Sequence, residues 1–224
     1  MSTPPDISHD AVGPIDVSAA SVSDQDNMAY LLVERASGAA LLVDAADRPD
    51  ALRAMLADAA ARAAERGEPA PHLESVVTTH KHWDHHRALA ALADETRAAV
   101  LAGDADADAL PVTVDRRLHD GDTIGLGSTE LRVIALRGHT PGSVALALAV
   151  PGEAVRLFTG DSLFPGGVGN TDGDHERFTS LLADVESRLF GVYDDETVVY
   201  PGHGAATTLG AERPHLAEWR ERGW

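Results

Sequence analysis

Residues 79–86 read Thr-His-Lys-His-Trp-Asp-His-His, which sets three imidazoles and a carboxylate (His80, His82, Asp84 and His85) within six positions. Imidazole nitrogen and carboxylate oxygen are the donors that divalent ions such as Zn²⁺ or Fe²⁺ take. The segment leaves Glu74-Ser75-Val76-Val77-Thr78, a β-branched run that reads as a strand. Three further segments repeat that context. Arg137-Gly138-His139-Thr140-Pro141-Gly142-Ser143 follows Leu131–Leu136, Phe158-Thr159-Gly160-Asp161-Ser162 follows Ala154–Leu157, and Tyr200-Pro201-Gly202-His203-Gly204 follows Thr197-Val198-Val199. Each is a strand ending in a glycine-containing turn that carries one His or Asp, a usual place for functional groups. One such residue alone is ordinarily structural. Together with His80–His85 they point to a metal centre.

Other elements must hold these loops in place. Residues 29–33 and 39–43 alternate around Ser37-Gly38 and predict a hairpin. From Asp50 to Arg66, Leu52, Met55, Leu56 and Ala59 recur at helical spacing, with Asp50 as expected cap and Gly67 as stop. A helix is expected from His86 to about Arg97, its N-terminal amides aimed at the metal loop. Asp174–Phe190 carries Phe178, Leu181, Leu182, Val185 and Leu189 on one stripe, the mark of a helix with a buried face ending at Gly191. Residues 211–220 predict a closing helix, with Trp219 and Trp224 packing near the end. Asp44, after Leu41-Leu42-Val43, stands at another strand end, where it could orient a ligand imidazole or cap a turn.

The whole chain sets outer limits. It has 224 residues, 44% of them hydrophobic, enough for one sizeable core. Residues 1–20 are expected to be a flexible segment and 21–224 a single domain, since no linker or repeat interrupts the chain. The net charge of −18 argues against a nucleic-acid partner, which needs a basic footprint. With no cysteine, disulfides and a thiol nucleophile are excluded. The start lacks a basic, apolar signal, and the longest apolar run, Val144–Val150, falls short of the ~18 residues of a membrane span. A cytoplasmic protein without a membrane partner is expected, as monomer or homodimer.

The order His-x-His-x-Asp-His, Gly-His, Gly-Asp, Pro-Gly-His-Gly resembles the metallo-β-lactamase superfamily. The wording THKHWDHH, GHTPGSVAL, LFTGDSLFPGGVGNT and VVYPGHGAATTLGAERPHL is similar to its glyoxalase II-like branch, from about Ala29 to about Leu216. The resemblance implies an α/β fold, a four-layer αβ/βα sandwich of two mixed sheets flanked by helices. It implies two divalent ions, zinc foremost, with iron or manganese also compatible. His80, His82 and His139 would hold the first, Asp84, His85 and His203 the second, and Asp161 would bridge them. In that family a water or hydroxide between the metals attacks a substrate carbonyl. Asp84 and Asp161 are thus the candidate catalytic residues, Asp84 also as proton acceptor. Members that cleave β-lactams generally lack the bridging Asp, so Asp161 directs the expectation elsewhere.

Departures from the family bear on substrate. The sequence runs 21 residues past His203, and the C-terminal glutathione-holding domain of full-length glyoxalase II is not expected in it. Where relatives often carry a basic residue that clamps a glutathione carboxylate, this chain has Asn170. Asn170 and Thr171 are candidate substrate contacts, with turn formation as the alternative. Phe164 joins them, standing near where the lactonase branch often has a Tyr. The expected function is a metal-dependent hydrolase of a small acyl compound, most simply a thioester of a low-molecular-weight thiol. A lactonase and a persulfide dioxygenase with one iron on His80, His139 and Asp161 are the alternatives.

Overall fold

The computed structural model describes residues 5–223. The N-terminal half contributes β1 (Ile7–Val12), β2 (Ile15–Ser21), β3 (Met28–Glu34), β4 (Ala39–Val43), α1 (Pro49–Arg66), β5 (His72–Thr78), α2 (Leu89–Thr96), β6 (Ala99–Gly103), α3 (Asp104–Ala107) and β7 (Arg116–Leu118). The rest contributes β8 (Thr123–Leu126), β9 (Thr129–Ala135), β10 (Val144–Leu148), β11 (Arg156–Gly160), β12 (Leu163–Phe164), β13 (Gly167–Val168), α4 (His175–Val185), β14 (Val198–Pro201), β15 (Thr207–Thr208), α5 (Leu209–Glu212) and α6 (Leu216–Arg222). Strands β1 to β7 lie in chain order in one sheet, antiparallel from β1 to β4 and parallel from β4 to β7. The second sheet runs β15-β14-β11-β10-β9-β8, with only β11 and β14 parallel.

Alternation along the strands makes the layers. In β3 and β4, Tyr30, Leu32, Leu41 and Val43 face the second sheet, where they meet Leu131, Val133, Val144, Leu146 and Phe158. Their neighbours Leu31, Val33, Ala40 and Leu42 face outward onto Leu52, Met55 and Ala59 of α1 and Leu89 and Leu92 of α2. On the far side, Ala145, Ala147, Leu157 and Val199 receive Phe178, Leu181, Leu182 and Val185 of α4. Period-2 strands thus sandwich one apolar layer and offer another to a helix on each flank. Each fully buried Leu or Phe contributes about 1.5–3 kcal/mol over its exposed state. This is the expected sandwich of two mixed sheets flanked by helices.

The expectation of a flexible segment over residues 1–20 is corrected from Ile7 onward, while residues 1–4 lie outside the described residues. Ile7–Val12 and Ile15–Ser21 pair with each other, and the latter pairs with β3. Val12, Ile15 and Val17 are buried between the sheets. Asp10, which reads as a solvent residue, accepts Arg156 Nε at 2.8 Å and the Tyr200 hydroxyl at 2.9 Å, tying β1 to the second sheet. The hairpin of β3 and β4 forms as expected.

Helix α1 ends at Gly67, but Arg48, with φ +43° and no side-chain cap, occupies its N-terminal boundary, and Asp50 lies inside the first turn. The helix expected from His86 begins only at Leu89. The Arg87 and Ala88 amides donate to the Ala46 and Ala45 carbonyls, both at 3.0 Å, so they are not aimed at the metal loop. Asp174 caps α4 through the Glu176 and Arg177 amides, and the helix widens into a π turn over Glu186–Phe190 before Gly191. The closing helix is broken into α5 and α6 by a 3-10 turn at Arg213–His215, where Pro214 lacks an N–H to donate. Trp219 packs edge-on against Phe190. Trp224 lies outside the described residues. Among the described residues no helix is long and apolar enough to cross a membrane.

Candidate metal centre

All four loops singled out from the sequence meet at one edge of the sandwich. His80 and His82 follow β5, Asp84 and His85 occupy a 3-10 turn at Trp83–His85, and His139, Asp161 and His203 follow β9, β11 and β14. Their donor atoms fall into three groups, each within 4.8 Å: His80, His82 and His139; Asp84, His85 and His203; and His80, His85 and Asp161. Asp161 stands between the triads. Its Oδ2 is 4.0 Å from His80 Nε2 and 3.6 Å from both His139 Nε2 and His203 Nε2. Its Oδ1 is 3.3 Å from His85 Nε2.

The ring orientations are set from behind. His139 Nδ1 lies 2.7 Å from the Asn170 carbonyl, and His203 Nδ1 lies 2.8 Å from the Gln25 carbonyl. A carbonyl can only accept, so both Nδ1 atoms carry the proton and both Nε2 atoms present a lone pair. The Thr79 hydroxyl donates to Asp44 Oδ2 at 2.8 Å and so accepts from His80 Nδ1 at 3.1 Å. His80 Nε2 is therefore a lone pair as well. It faces His139 Nε2 at 3.3 Å, an acceptor opposite an acceptor. Such a pair repels unless a cation lies against both. Asp161 Oδ1 is buried without a hydrogen-bond partner, and a Cβ on Gly202 would stand against it and 2.7 Å from His85 Cε1. Glycine is what lets the last loop come this close. The donor set thus fits two divalent cations.

Electrostatics agree with that fit. Burial, reinforced by neighbouring imidazoles, holds His80 well below the ordinary histidine value. Burial also lowers His82 and His139. All three stay neutral, the form that ligates. Burial opposes ionising Asp84, but the Asn27 hydrogen bond and His85 outweigh it, and its carboxyl is held below the usual value. Asp161 is likewise held low, His85 outweighing burial. His85 is the exception. Burial opposes its charge, yet Asp161 and Asp44 push its value up to about 10. It sits in a carboxylate vice that demands positive charge at Nε2, and a cation there replaces the proton.

Asp44 lies behind two of the candidate ligands. Its Oδ2 lies 2.9 Å from His85 Nδ1, and its Oδ1 accepts the Thr79 amide at 2.8 Å. It therefore touches His85 directly and His80 through Thr79. Phe164 lies beside the centre, its ring 6.4 Å from that of His203. The substrate contact expected at Thr171 is corrected. Thr171 is 0% exposed, and its hydroxyl donates to the Asp174 carbonyl in the turn that starts α4. The Asn170 side chain takes the turn-forming alternative, accepting the Asp172 amide at 2.8 Å, while its main-chain carbonyl holds His139.

Two supporting residues escaped the sequence reading. Asn27 is buried before β3, where it forms a bridge with His203. Its Nδ2 donates to Asp84 Oδ2 at 2.9 Å and lies 3.2 Å from His203 Nε2, while its Oδ1 accepts the Ser23 hydroxyl. Arg177 on α4 donates to the Gly138 and His139 carbonyls, pinning the loop behind the ligand. In Ser23-Asp24-Gln25-Asp26-Asn27 nothing separates a site residue from an ordinary polar turn.

The Metallo-beta-lactamase superfamily profile matches residues 25–203. The chain belongs to that superfamily. It is 36% identical over 179 residues to a hydroxyacylglutathione hydrolase of Ruegeria pomeroyi, covering 80% of this chain and 62% of that protein. This chain thus spans less than two thirds of that relative's length. Among solved structures, ETHE1 from Myxococcus xanthus superposes with a TM-score of 0.72 at 29% identity, over 89% of this chain and 82% of its own. A di-iron-bound form of TTHA1623 superposes with a TM-score of 0.67 at 31% identity, over 87% and 96%.

Proposed function

We propose that this chain is a metal-dependent hydrolase of small acyl compounds, with thioesters of low-molecular-weight thiols as the first substrate class. The observation that carries this reading is the lone-pair-to-lone-pair approach of His80 and His139 beside Asp161, whose buried Oδ1 makes no hydrogen bond and lies 3.3 Å from His85 Nε2. His80, His82 and His139 would hold one divalent cation, Asp84, His85 and His203 the second, and Asp161 both. Two such cations would supply water of lowered pKa and stabilise charge on a carbonyl oxygen. Asp84, partly exposed, kept ionised and held at Oδ2 by Asn27, would accept a proton from attacking water. Phe164, beside His203, offers an apolar wall to the acyl or thiol portion. The likeness to the Ruegeria pomeroyi hydrolase supports the thioester class, and the di-iron-bound relative leaves zinc and iron both compatible.

One observation favours a second reading. His80, His139 and Asp161 form by themselves a two-His, one-carboxylate set, the arrangement that iron oxygenases use. A persulfide dioxygenase would need only those three. Asp84, His85 and His203 would then hold no metal and Asn27 would support none of the three ligands, so the hydrolase is preferred. The test is a panel of thioesters and lactones assayed with the purified protein before and after chelation. Chelator-sensitive thioester cleavage supports the proposal. Oxygen uptake with thiol persulfides and no hydrolysis would replace it with the dioxygenase.

A further inference from the structure

One buried carboxylate lies outside the ligand set yet grips both segments that carry the first triad. Asp106 on α3 accepts, through Oδ2, the Lys81 amide at 3.0 Å, the peptide between His80 and His82. The same oxygen accepts the hydroxyl of Thr140, the residue after His139. Its Oδ1 accepts the Gly142 amide at 2.9 Å. The Thr140 amide donates to Ser143 Oγ at 3.2 Å, and the two hydroxyls lie 2.7 Å apart. A single side chain therefore ties the loop after β5 to the loop after β9.

The approach is tight. A Cβ on Gly142 would fall 2.8 Å from Asp106 Cβ, and one on Gly103 would strike the Gly142 carbonyl oxygen. Division of labour follows from the bonds. Thr79 and Asn170 set how the His80 and His139 rings are turned. Asp106 sets how far apart their backbones stand. Three donors converge on it, two main-chain amides and a hydroxyl, and a carboxylate can accept them all. Asparagine would turn an NH₂ group toward at least one of those donors.

We propose that Asp106 is a positioning residue that sets the spacing of His80, His82 and His139, so that the affinity of the first metal position depends on a carboxylate that never touches the metal. This rests on the dinuclear reading above. The test is Zn²⁺ competition against a chromophoric chelator for the wild type, Asp106→Asn and Thr140→Val, with metals per chain counted and thermal unfolding followed in parallel. Replacing such an outer partner typically lowers metal affinity about 10–100-fold. The expected result is a loss of that size in one of two zinc equivalents in Asp106→Asn, with the other unchanged. Thr140→Val is expected to give a smaller loss in the same equivalent with unfolding intact, and it carries the test if Asp106→Asn does not fold. Equal weakening of both equivalents, or of neither, overturns the role of Asp106. A wild type that never takes up a second zinc overturns the dinuclear reading and this inference with it.

Discussion

The two triads are built on unequal supports. His80 and His139, at 1% and 6% exposure, lie deep in the first, their Nδ1 atoms held by Thr79 and Asn170 and their loops by Asp106 and Arg177. In the second, His85 is fully buried, but the side chains of Asp84 and His203 each keep 26% exposure and lean on Asn27. His80 and His139 form a buried floor, His82 is partly exposed beside them, and the second triad, with two partly exposed members, opens further toward solvent. That asymmetry fits the proposed hydrolase, in which substrate would approach beside Asp84 and His203 and along Phe164.

The largest effect is expected where the triads join. Asp161→Ala takes a carboxylate from both, so metal content and hydrolysis should fall together toward background, read by elemental analysis and thioester assay. Asp44→Asn comes next, because Asp44 supports His85 directly and His80 through Thr79. Its metal affinity should drop roughly 10–100-fold, measured by chelator competition. If Asp44→Asn binds metal as the wild type does, the carboxylate vice around His85 has been overvalued. Asn27→Ala acts on the open triad alone. Losing a hydrogen bond to a charged acceptor costs about 1.5–3 kcal/mol, so kcat should fall roughly 10–100-fold with KM little changed.

Much of this was legible and some was not, for physical reasons. The His80–His85 donors crowd one loop, so residue type and spacing pointed to a metal centre there, and the fold brings those donors together with His139, Asp161 and His203. The stripe from Phe178 to Leu189 announced a helix packed by one face, and α4 follows it. Asn27 was hidden because its partner Asp84 lies 57 positions away, across a bridge that exists only once β3 meets the loop after β14. Strand β1 was hidden because Asp10 looks solvent-bound until Arg156 and Tyr200 are beside it. Thr171 misled because a hydroxyl in a polar loop reads as available, whereas a local carbonyl claims it.

Smaller effects refine the contrast. Asp184 accepts the Arg137 amide and guanidinium, steadying the loop of the buried triad. Burial opposes its ionisation, but Arg137 and Arg188 outweigh it and hold the carboxyl below its usual 3.8. A carboxyl lowered on folding stabilises above its unfolded value and loses that contribution as pH falls through its folded value. The Tm difference between the wild type and Asp184→Asn should therefore be constant near neutrality and shrink below about pH 4. A difference that persists at low pH would show that the charge of Asp184 is immaterial. The smallest change is expected from Asn170→Arg. The partner of His139 is the Asn170 main-chain carbonyl, so metal content should hold. A carboxylate clamp should lower KM for glutathione thioesters by roughly 10-fold. An unchanged KM would remove the clamp argument.

The central claim is that both triads, unequal as they are, hold a cation. Elemental analysis of the anaerobically purified protein tests it most directly. The account predicts two divalent metals per chain, falling in Asp161→Ala. One iron per chain, bound without help from Asp84, His85 or His203, would contradict it and favour the mononuclear dioxygenase.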